Sequence, residues 1–289
     1  RAYPAAYHHP EATVGNQMRE RLWLHLVVLP RWFAAPLAVL AIVLGGLVGG
    51  TSALPLFLAV LAGIFVMAWA HSMNALLDYS WTGLDKGDVG ERSHPKPYTS
   101  GQQPIVTGLM KPSEVLLNAG IWLGLSAVPI VILAANGHPW VILPWGISAL
   151  STFWYSWAKL HYHPEIPLAL GFGPIAAMLG SAASPDPDLV RALLAGIPFG
   201  IIFGVAAETW DQYVDADVNW NKGLRNIGAL VWRHNLPIFW AVGALVGLGM
   251  LSHVFLVVAG VLATYSFAGF IGVVLLGPLL LILPRAGVP

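Results

Sequence analysis

Long apolar stretches alternate with short polar segments along the chain. Stretches of about 20 apolar residues have the length of a helix that crosses a bilayer, and six follow one another: 32–50, 54–77, 114–134, 139–158, 166–183 and 189–210. Residues 235–284 are also almost free of charge and can supply two relaxed spans or three short ones. The alternating ten-residue segments typical of membrane β-barrels do not occur. The pattern predicts an all-α integral membrane protein with eight or nine transmembrane helices.

The composition agrees with a membrane location. The 289 residues are 57% hydrophobic and 10% charged, whereas about a quarter of the residues in a soluble domain are charged. The 14 Lys and Arg residues balance the 14 Asp and Glu residues, so no net positive field favours nucleic-acid binding. The absence of cysteine excludes a disulfide scaffold, a thiolate metal site and a cysteine nucleophile.

The basic residues indicate how the helices are oriented. All Lys and Arg residues except Arg191 and Arg285 fall on one predicted side, which the positive-inside rule assigns to the cytoplasm; we favour nine helices over eight. Residues 1–29 are polar and then amphipathic, without the pattern of a cleavable signal peptide. Arg1 suggests that the natural N-terminus lies upstream.

Two acidic clusters lie at the same predicted membrane face. The first begins at Asn74 and Asp78 at the end of the second span, and the second, 208–219, follows the sixth span. Asn74 and Asp78 are four residues apart, so their side chains share one helix face. Asp211, Asp215 and Asn219 repeat this spacing twice. Stacked carboxylates repel one another and are costly to desolvate, so a positive partner is expected between them.

A hard metal ion is the partner that these residues favour. The chain has few other cations to spare, and oxygen ligands without His or Cys are typical of Mg²⁺. Mg²⁺ keeps water molecules and shares phosphate oxygens with substrates, so the two clusters suggest ions that hold a phosphorylated ligand. Arg92 and Lys96, in the long polar segment 78–112, are suited to neutralise phosphate oxygens. The alternative is that the acids are simply solvated at helix ends.

Three segments follow one another in the chain: Asn74…Asp78…Asp85, Lys96-Pro97-Tyr98-Thr99-Ser100-Gly101, and the acidic run that ends at Lys222-Gly223-Leu224-Arg225. Together with a fourth segment between the last two, they resemble, in order along residues 70–226, the UbiA superfamily of intramembrane prenyltransferases. The fourth, Tyr155…Lys159-Leu160…Phe172-Gly173-Pro174, is similar to the branch that prenylates dihydroxynaphthoate for menaquinone synthesis.

The sequence departs from the family pattern at three places. Ala75 replaces the Asp that usually follows the motif's Asn, and Lys96 replaces the usual Arg. Counting back from the Gly-basic pair places the second motif's acids at Asp215 and Asn219, whereas Asp211 with Asp215 restores the usual spacing one helical turn earlier.

The resemblance implies a fold and an activity. One transmembrane domain, 1–289, would place about nine helices around a central cavity, with segments 78–112 and 211–234 as polar cap loops on the cytoplasmic side. The activity would be Mg²⁺-dependent transfer of a polyprenyl group from its diphosphate to an aromatic quinone precursor. Two Mg²⁺ ions are expected. The expected partners are the donor, a small aromatic or lipid acceptor and the lipid bilayer, without an obligate protein partner.

The candidate site residues follow from the clusters and the resemblance together. The predicted metal ligands are Asn74, Asp78, Asp85, Asp211, Asp215 and Asp217. The predicted diphosphate contacts are Arg92 and Lys96, assisted by Lys222 and Arg225. Tyr155 is predicted to stabilise the allylic carbocation through its ring, and the acceptor is expected to be oriented by Lys159, His71 or His163.

Two other functions remain open. Geranylgeranyl transfer to a glycerol-phosphate lipid would use the same residues with a different acceptor. A secondary transporter or cation channel also carries intramembrane acids, although here they lie at one membrane end rather than at the midplane.

Overall fold

The computed structural model describes residues 14–84, 104–106, 108–161 and 163–266, and these residues contain helices and no strand. The helices are α1 Val14–Trp23, α2 Ala35–Gly49, α3 Ala53–Ser80, α4 Pro112–Ala135, α5 Ile142–Lys159, α6 Glu165–Ala182, α7 Leu189–Val214, α8 Ala216–Asn221, α9 Ile227–Arg233 and α10 Ile238–Val258.

The six predicted apolar spans correspond to α2 through α7, with ends that differ by a few residues. By length and composition, five of the helices can cross a membrane: α3, α4, α6, α7 and α10. α2 is apolar but shorter. α10 occupies the beginning of the stretch 235–284, and most of the remainder lies outside the described residues. The total of nine helices therefore stays a prediction.

Glycine brings α2 and α6 into backbone contact. A side chain at Gly45 would overlap the carbonyl of Ala177, and one at Gly180 would overlap the carbonyl of Ile42. Lipid tails are as apolar as leucine, so helices in a membrane associate through this kind of close van der Waals packing. The α2–α6 contact therefore forms a rigid wall.

α6 and α7 each contain a π-helical turn, at Gly171–Ile175 and Gly200–Ala206. The two turns face each other, because a side chain at Gly173 would overlap the backbone of Gly196 and Gly200. π-turns interrupt the regular α-helical register and occur frequently at functional sites. Here they direct Phe172 and Phe203 into the cavity described below.

The segment 211–234 was predicted to be a cap loop, and this prediction is wrong in its secondary structure. The last turn of α7 is followed by the short helices α8 and α9. Asn226 caps α9 by accepting a hydrogen bond from the Ala229 amide at 2.8 Å. Glu165 of α6 accepts another from the Ile227 amide at 2.5 Å. These contacts satisfy the free amides of the first turn, so a helix forms where the polar sequence indicated a loop.

Candidate active site

A cavity of about 330 Å³ lies among α2, α3, α5, α6 and α7. Its lining changes from polar to apolar along α3 and along α7, whereas α5 contributes only polar residues. On α3 it runs from Asp78 to Gly63, a separation of about 22 Å at the rise of an α-helix. The polar end is lined by Arg31, His71, Asn74, Asp78, Tyr155, Lys159, Glu208, Asp211 and Gln212. The opposite end is lined by Ile42, Gly63, Val66, Met67, Phe172, Leu179 and Phe203.

Asn74 and Asp78 meet on one face of α3, as their spacing predicts. Asn74 Nδ2 donates a hydrogen bond to Asp78 Oδ2 at 3.1 Å, and both side chains are buried. Asn74 Oδ1 accepts a hydrogen bond from Ser156 Oγ of α5 at 3.2 Å. α5 therefore holds this part of the site against α3.

Lys159 is the positive group beside this pair. Its Nζ lies 2.5 Å from Asp78 Oδ2 and 3.1 Å from Asn74 Oδ1. The side chain is 12% exposed, so the ion pair is largely withdrawn from water. The sequence suggested that few cations are available to these acids, but Asp78 has one in Lys159. Nothing along the chain shows that α5 brings a lysine to α3.

Glu208 and Gln212 belong to the site and were not predicted. Glu208 Oε1 accepts hydrogen bonds from Tyr155 Oη at 3.0 Å and from Gln212 Nε2 at 2.7 Å. Lys159 Nζ lies 4.4 Å from the centre of the Tyr155 ring, within the range of a cation–π contact. The spacing 208, 211, 212 places these residues on one helix face with Asp211, and this signal was available in the sequence.

The helix that carries the second acidic cluster ends at Val214, before Asp215. Asp215 has φ −105° and ψ 19°, and α8 begins after it. The predicted continuous stack of Asp211, Asp215 and Asn219 is therefore wrong. Asp competes with helical hydrogen bonds through its own carboxylate, which makes it a poor residue for a helix interior. Of the three, Asp211 lines the cavity and the other two do not.

Asn219 belongs instead to an amide network that joins α7 to the two short helices α8 and α9, which are called the cap below. Its Nδ2 donates a hydrogen bond to Gln212 Oε1 at 2.8 Å, and Asn226 Nδ2 donates to the same oxygen at 3.2 Å. Asp215 is buried nearby. Cap and cavity are thus connected through Gln212.

The remaining predicted residues lie away from the cavity or outside the described part. Asp217 is exposed and does not line the cavity. Lys222 Nζ donates a hydrogen bond to the Leu84 carbonyl at 2.9 Å, and Arg225 lies over the ring of Trp220 at 3.8 Å.

His163 lies outside the cavity, with its Nδ1 at 2.6 Å from the His161 carbonyl. Asp85, Arg92 and Lys96 fall outside the described residues.

Two further residues of the polar end carry unusual features. Arg31 has φ 52°, in the left-handed region that non-glycine residues rarely adopt, and the sequence had suggested only an orientation signal for it. Such backbone conformations cluster at functional sites. His71 lines the cavity, and its buried Nε2 has no hydrogen-bond partner among the described residues.

The donor set at the polar end fits Mg²⁺. Asp78 Oδ1 is buried and has no hydrogen-bond partner within the described residues, although buried polar atoms are normally paired. No three His, Cys, Asp or Glu side chains of the described ranges form a group that holds a metal ion. Mg²⁺ in proteins is bound through one or two carboxylates and completes its shell with water and substrate phosphate oxygens, and Asp78 and Asp211 of the cavity lining supply two carboxylates.

Comparison with known proteins identifies the type of fold. The chain is a multi-helix membrane-type protein with an internal cavity. It is similar in structure to a UbiA homolog from Archaeoglobus fulgidus, solved bound to DMAPP and Mg²⁺. The TM-score is 0.52 and the identity is 18%, over 80% of this chain and 75% of that chain. No family model and no curated protein sequence matches the chain. The likeness shows a UbiA-type fold, which confirms the predicted resemblance at the level of fold.

Proposed function

We propose that this chain is a Mg²⁺-dependent prenyltransferase of the UbiA superfamily. It would transfer a prenyl group from an allylic diphosphate to an acceptor and release diphosphate. The observation that carries this proposal is the two-ended cavity, in which Asp78 and Asp211 line the polar end and an apolar pocket continues from it. A donor with an anionic head and a hydrocarbon tail matches both ends. The solved protein of this fold was bound to such a donor, DMAPP, together with Mg²⁺.

Asn74, Asp78 and Asp211 are the residues that would hold Mg²⁺. Asp85 remains a candidate from the sequence, whereas Asp215 and Asp217, also suggested by the sequence, do not line the cavity. Bound Mg²⁺ supplies Lewis-acid stabilisation of the leaving diphosphate. The Lys159 ammonium, already beside Asp78, would donate hydrogen bonds to the diphosphate oxygens. Arg31 is positioned to add a second positive charge from the cavity wall.

The chain also supplies the surroundings of the reacting carbon. As the carbon–oxygen bond breaks, its electron pair leaves with the diphosphate and the prenyl carbon becomes positive. The Tyr155 ring stabilises that charge, and the hydrogen bond from its hydroxyl to Glu208 fixes the orientation of the ring. The apolar wall excludes water, which would otherwise capture the carbocation.

We propose an aromatic quinone precursor as the acceptor, on the resemblance of Tyr155…Lys159-Leu160 and Phe172-Gly173-Pro174 to the menaquinone branch. The acceptor carbon forms the new bond to the prenyl carbon and then loses its proton, which the released diphosphate takes up. His71 is suited to orient a hydroxyl or carboxylate group, because its Nε2, which no described residue hydrogen-bonds, lies at the polar end. The active site would face the cytoplasm, as the positive-inside rule predicts.

The decisive experiment uses purified protein in detergent with Mg²⁺, an allylic diphosphate and a panel of aromatic and lipid acceptors. We expect diphosphate release, with a prenylated product identified by mass spectrometry, and loss of both signals in EDTA. The control is the same protein without acceptor. Cation flux into liposomes without any diphosphate release would instead establish the transporter alternative.

A further inference from the structure

Two arginines, one just before α9 and one at its end, lie against the same indole ring. The guanidinium carbon of Arg225 is 3.8 Å from the centre of the Trp220 ring, and that of Arg233 is 5.5 Å from it. Both distances are within the range of a cation–π contact. Neither arginine lines the cavity, so the proposed reaction leaves both charges unexplained.

The guanidinium group of Arg225 is held in a fixed orientation. Its Nη1 donates hydrogen bonds to the carbonyls of Trp220 at 2.9 Å and Leu224 at 3.0 Å. A guanidinium group has five N–H donors in a rigid fork, so Nε and Nη2 keep donors for a ligand. This fork matches the oxygen atoms of a phosphate group.

The two positive charges are close together without an acid between them. Neither Arg225 nor Arg233 forms an ion pair with an acid of the described residues, including the exposed Asp217 of α8. Like charges repel each other, and the attraction of a partly exposed ring for each of them is weak. An anion bound between the two arginines would neutralise both charges.

Arg233 lies at the beginning of a membrane-spanning helix. α10 begins at Ile238, and the connection from α9 turns through Asn235, which has φ 52°. Trp232 and Trp240 flank this turn and are exposed, Trp240 to 79%. Tryptophan is enriched at the level of the lipid headgroups, so the two arginines lie where phospholipids present their phosphate groups.

We infer that Trp220, Arg225 and Arg233 bind the phosphate group of an anionic phospholipid. The fork of Arg225 donates hydrogen bonds to the phosphate oxygens, and Arg233 supplies the second positive charge. The acyl chains lie beside Trp240 at the beginning of α10. The bound lipid ties the cap to the membrane surface. This site is separate from the cavity and does not depend on the proposed function.

The test measures how lipids stabilise the purified protein in an uncharged detergent, because a ligand that binds the folded state raises the melting temperature. Dioctanoyl phosphatidylglycerol, which is anionic, is compared with dioctanoyl phosphatidylcholine, which has the same chains and no net charge. We expect phosphatidylglycerol to reach half of its effect at a concentration at least about tenfold lower, since each arginine near the surface contributes about fivefold to the binding of anionic lipid. Inorganic phosphate at the same concentrations should have no effect.

Variants of the two arginines should remove this preference. Arg233 is exposed, so Arg233→Gln should leave the fold intact and raise the half-effective concentration of phosphatidylglycerol about fivefold. In the double variant Arg225→Gln, Arg233→Gln the two lipids should become equivalent. If loss of the Arg225 hydrogen bonds unfolds the double variant, Arg233→Gln alone decides.

The matched control is the double variant Arg19→Gln, Arg21→Gln. It removes the same number of positive charges from exposed positions of α1, on the same predicted side of the membrane. The preference for phosphatidylglycerol should remain as in the wild type.

Three results would overturn the inference. The first is equal stabilisation of the wild type by the two lipids, or a full preference that persists in Arg233→Gln. The second is an equal loss of preference in the α1 variant, which would show that total charge and not this cluster attracts the lipid. The third is stabilisation by inorganic phosphate at the same concentrations, which would identify a site for soluble phosphate.

Discussion

The acidic segments at the ends of α3 and α7 have similar sequences but different structures. Each carries polar residues at helical spacing and comes at the end of an apolar span. α3 continues through Asp78 to Ser80, so Asn74 and Asp78 stay on one face and line the cavity. α7 ends at Val214, so Asp211 lines the cavity whereas Asp215 lies below the cap.

The two segments also differ in what holds them. Asp78 pairs with a cation, Lys159 of α5. On α7, Glu208 is held by the neutral donors Tyr155 and Gln212, and Gln212 in turn accepts hydrogen bonds from cap side chains. We therefore expect the α3 segment to contribute most of the electrostatic stabilisation of the diphosphate. The position of the α7 side chains should depend on their hydrogen bonds with α8 and α9.

The largest expected effect is that of Asp78→Asn, which keeps the shape of the side chain and removes its charge. Diphosphate release at saturating Mg²⁺ should fall about a thousandfold, because an electrostatic contact to the developing charge is lost in a dry site. The control is Asp188→Asn at the start of α7, where asparagine caps a helix as well as aspartate. Activity within tenfold of wild type in a folded Asp78→Asn protein would contradict the site.

Asp211→Asn tests the other segment. We expect a loss of about a hundredfold in diphosphate release, at the lower end of the range for such contacts, because Asp211 is the acid of its motif that reaches the cavity. A titration of activity with Mg²⁺ should show a higher half-saturating concentration than in the wild type. If Asp211→Asn lowers diphosphate release more than Asp78→Asn does, the α7 segment contributes more to catalysis than the α3 segment.

Tyr155→Phe separates the ring from its hydroxyl. The ring remains, while Glu208 loses the hydrogen bond that it accepts at 3.0 Å; a loss of about tenfold in kcat is expected, since a hydrogen bond to a charged group contributes about 1.5 kcal/mol. Tyr155→Leu, which removes the ring as well as the hydroxyl, should lower kcat much further. Trp154→Phe, an exposed neighbour outside the cavity, is the matched control. Equal rates for the Phe and Leu variants would exclude a role for the ring.

The smallest effects are expected beyond the break in α7. Asp217→Asn should change diphosphate release less than about twofold, because surface substitutions usually alter stability by no more than about 0.5 kcal/mol and Asp217 is exposed. Asp215→Asn should lower the melting temperature of the protein more than its turnover, since Asp215 is buried under the cap. A large loss of turnover in the Asp217 variant would show that Asp217 is a metal ligand after all.

The sequence predicted the helices and the part of the site that lies on α3, and particular residues show why. Apolar length alone placed α2 through α7, and a four-residue spacing placed Asn74 next to Asp78. The same spacing failed at Asp215, because hydrogen bonds from Asn219 and Asn226 to Gln212 hold a cap that periodicity does not reveal. The spacing of Glu208 from Asp211 was visible in the sequence, but its hydrogen bond with Tyr155 of another helix was not.

The sequence by itself determined that the chain is a bundle of membrane-type helices with its acids gathered at helix ends, because burial of apolar side chains and helical periodicity are local properties. Only the tertiary structure decided which charges meet. Lys159 reaches Asp78 because Ser156 holds α5 against Asn74. Ile42 lines the cavity because glycine lets α2 approach α6. Such contacts depend on distances between helices that are remote in the chain, and the packing of all the helices together sets those distances.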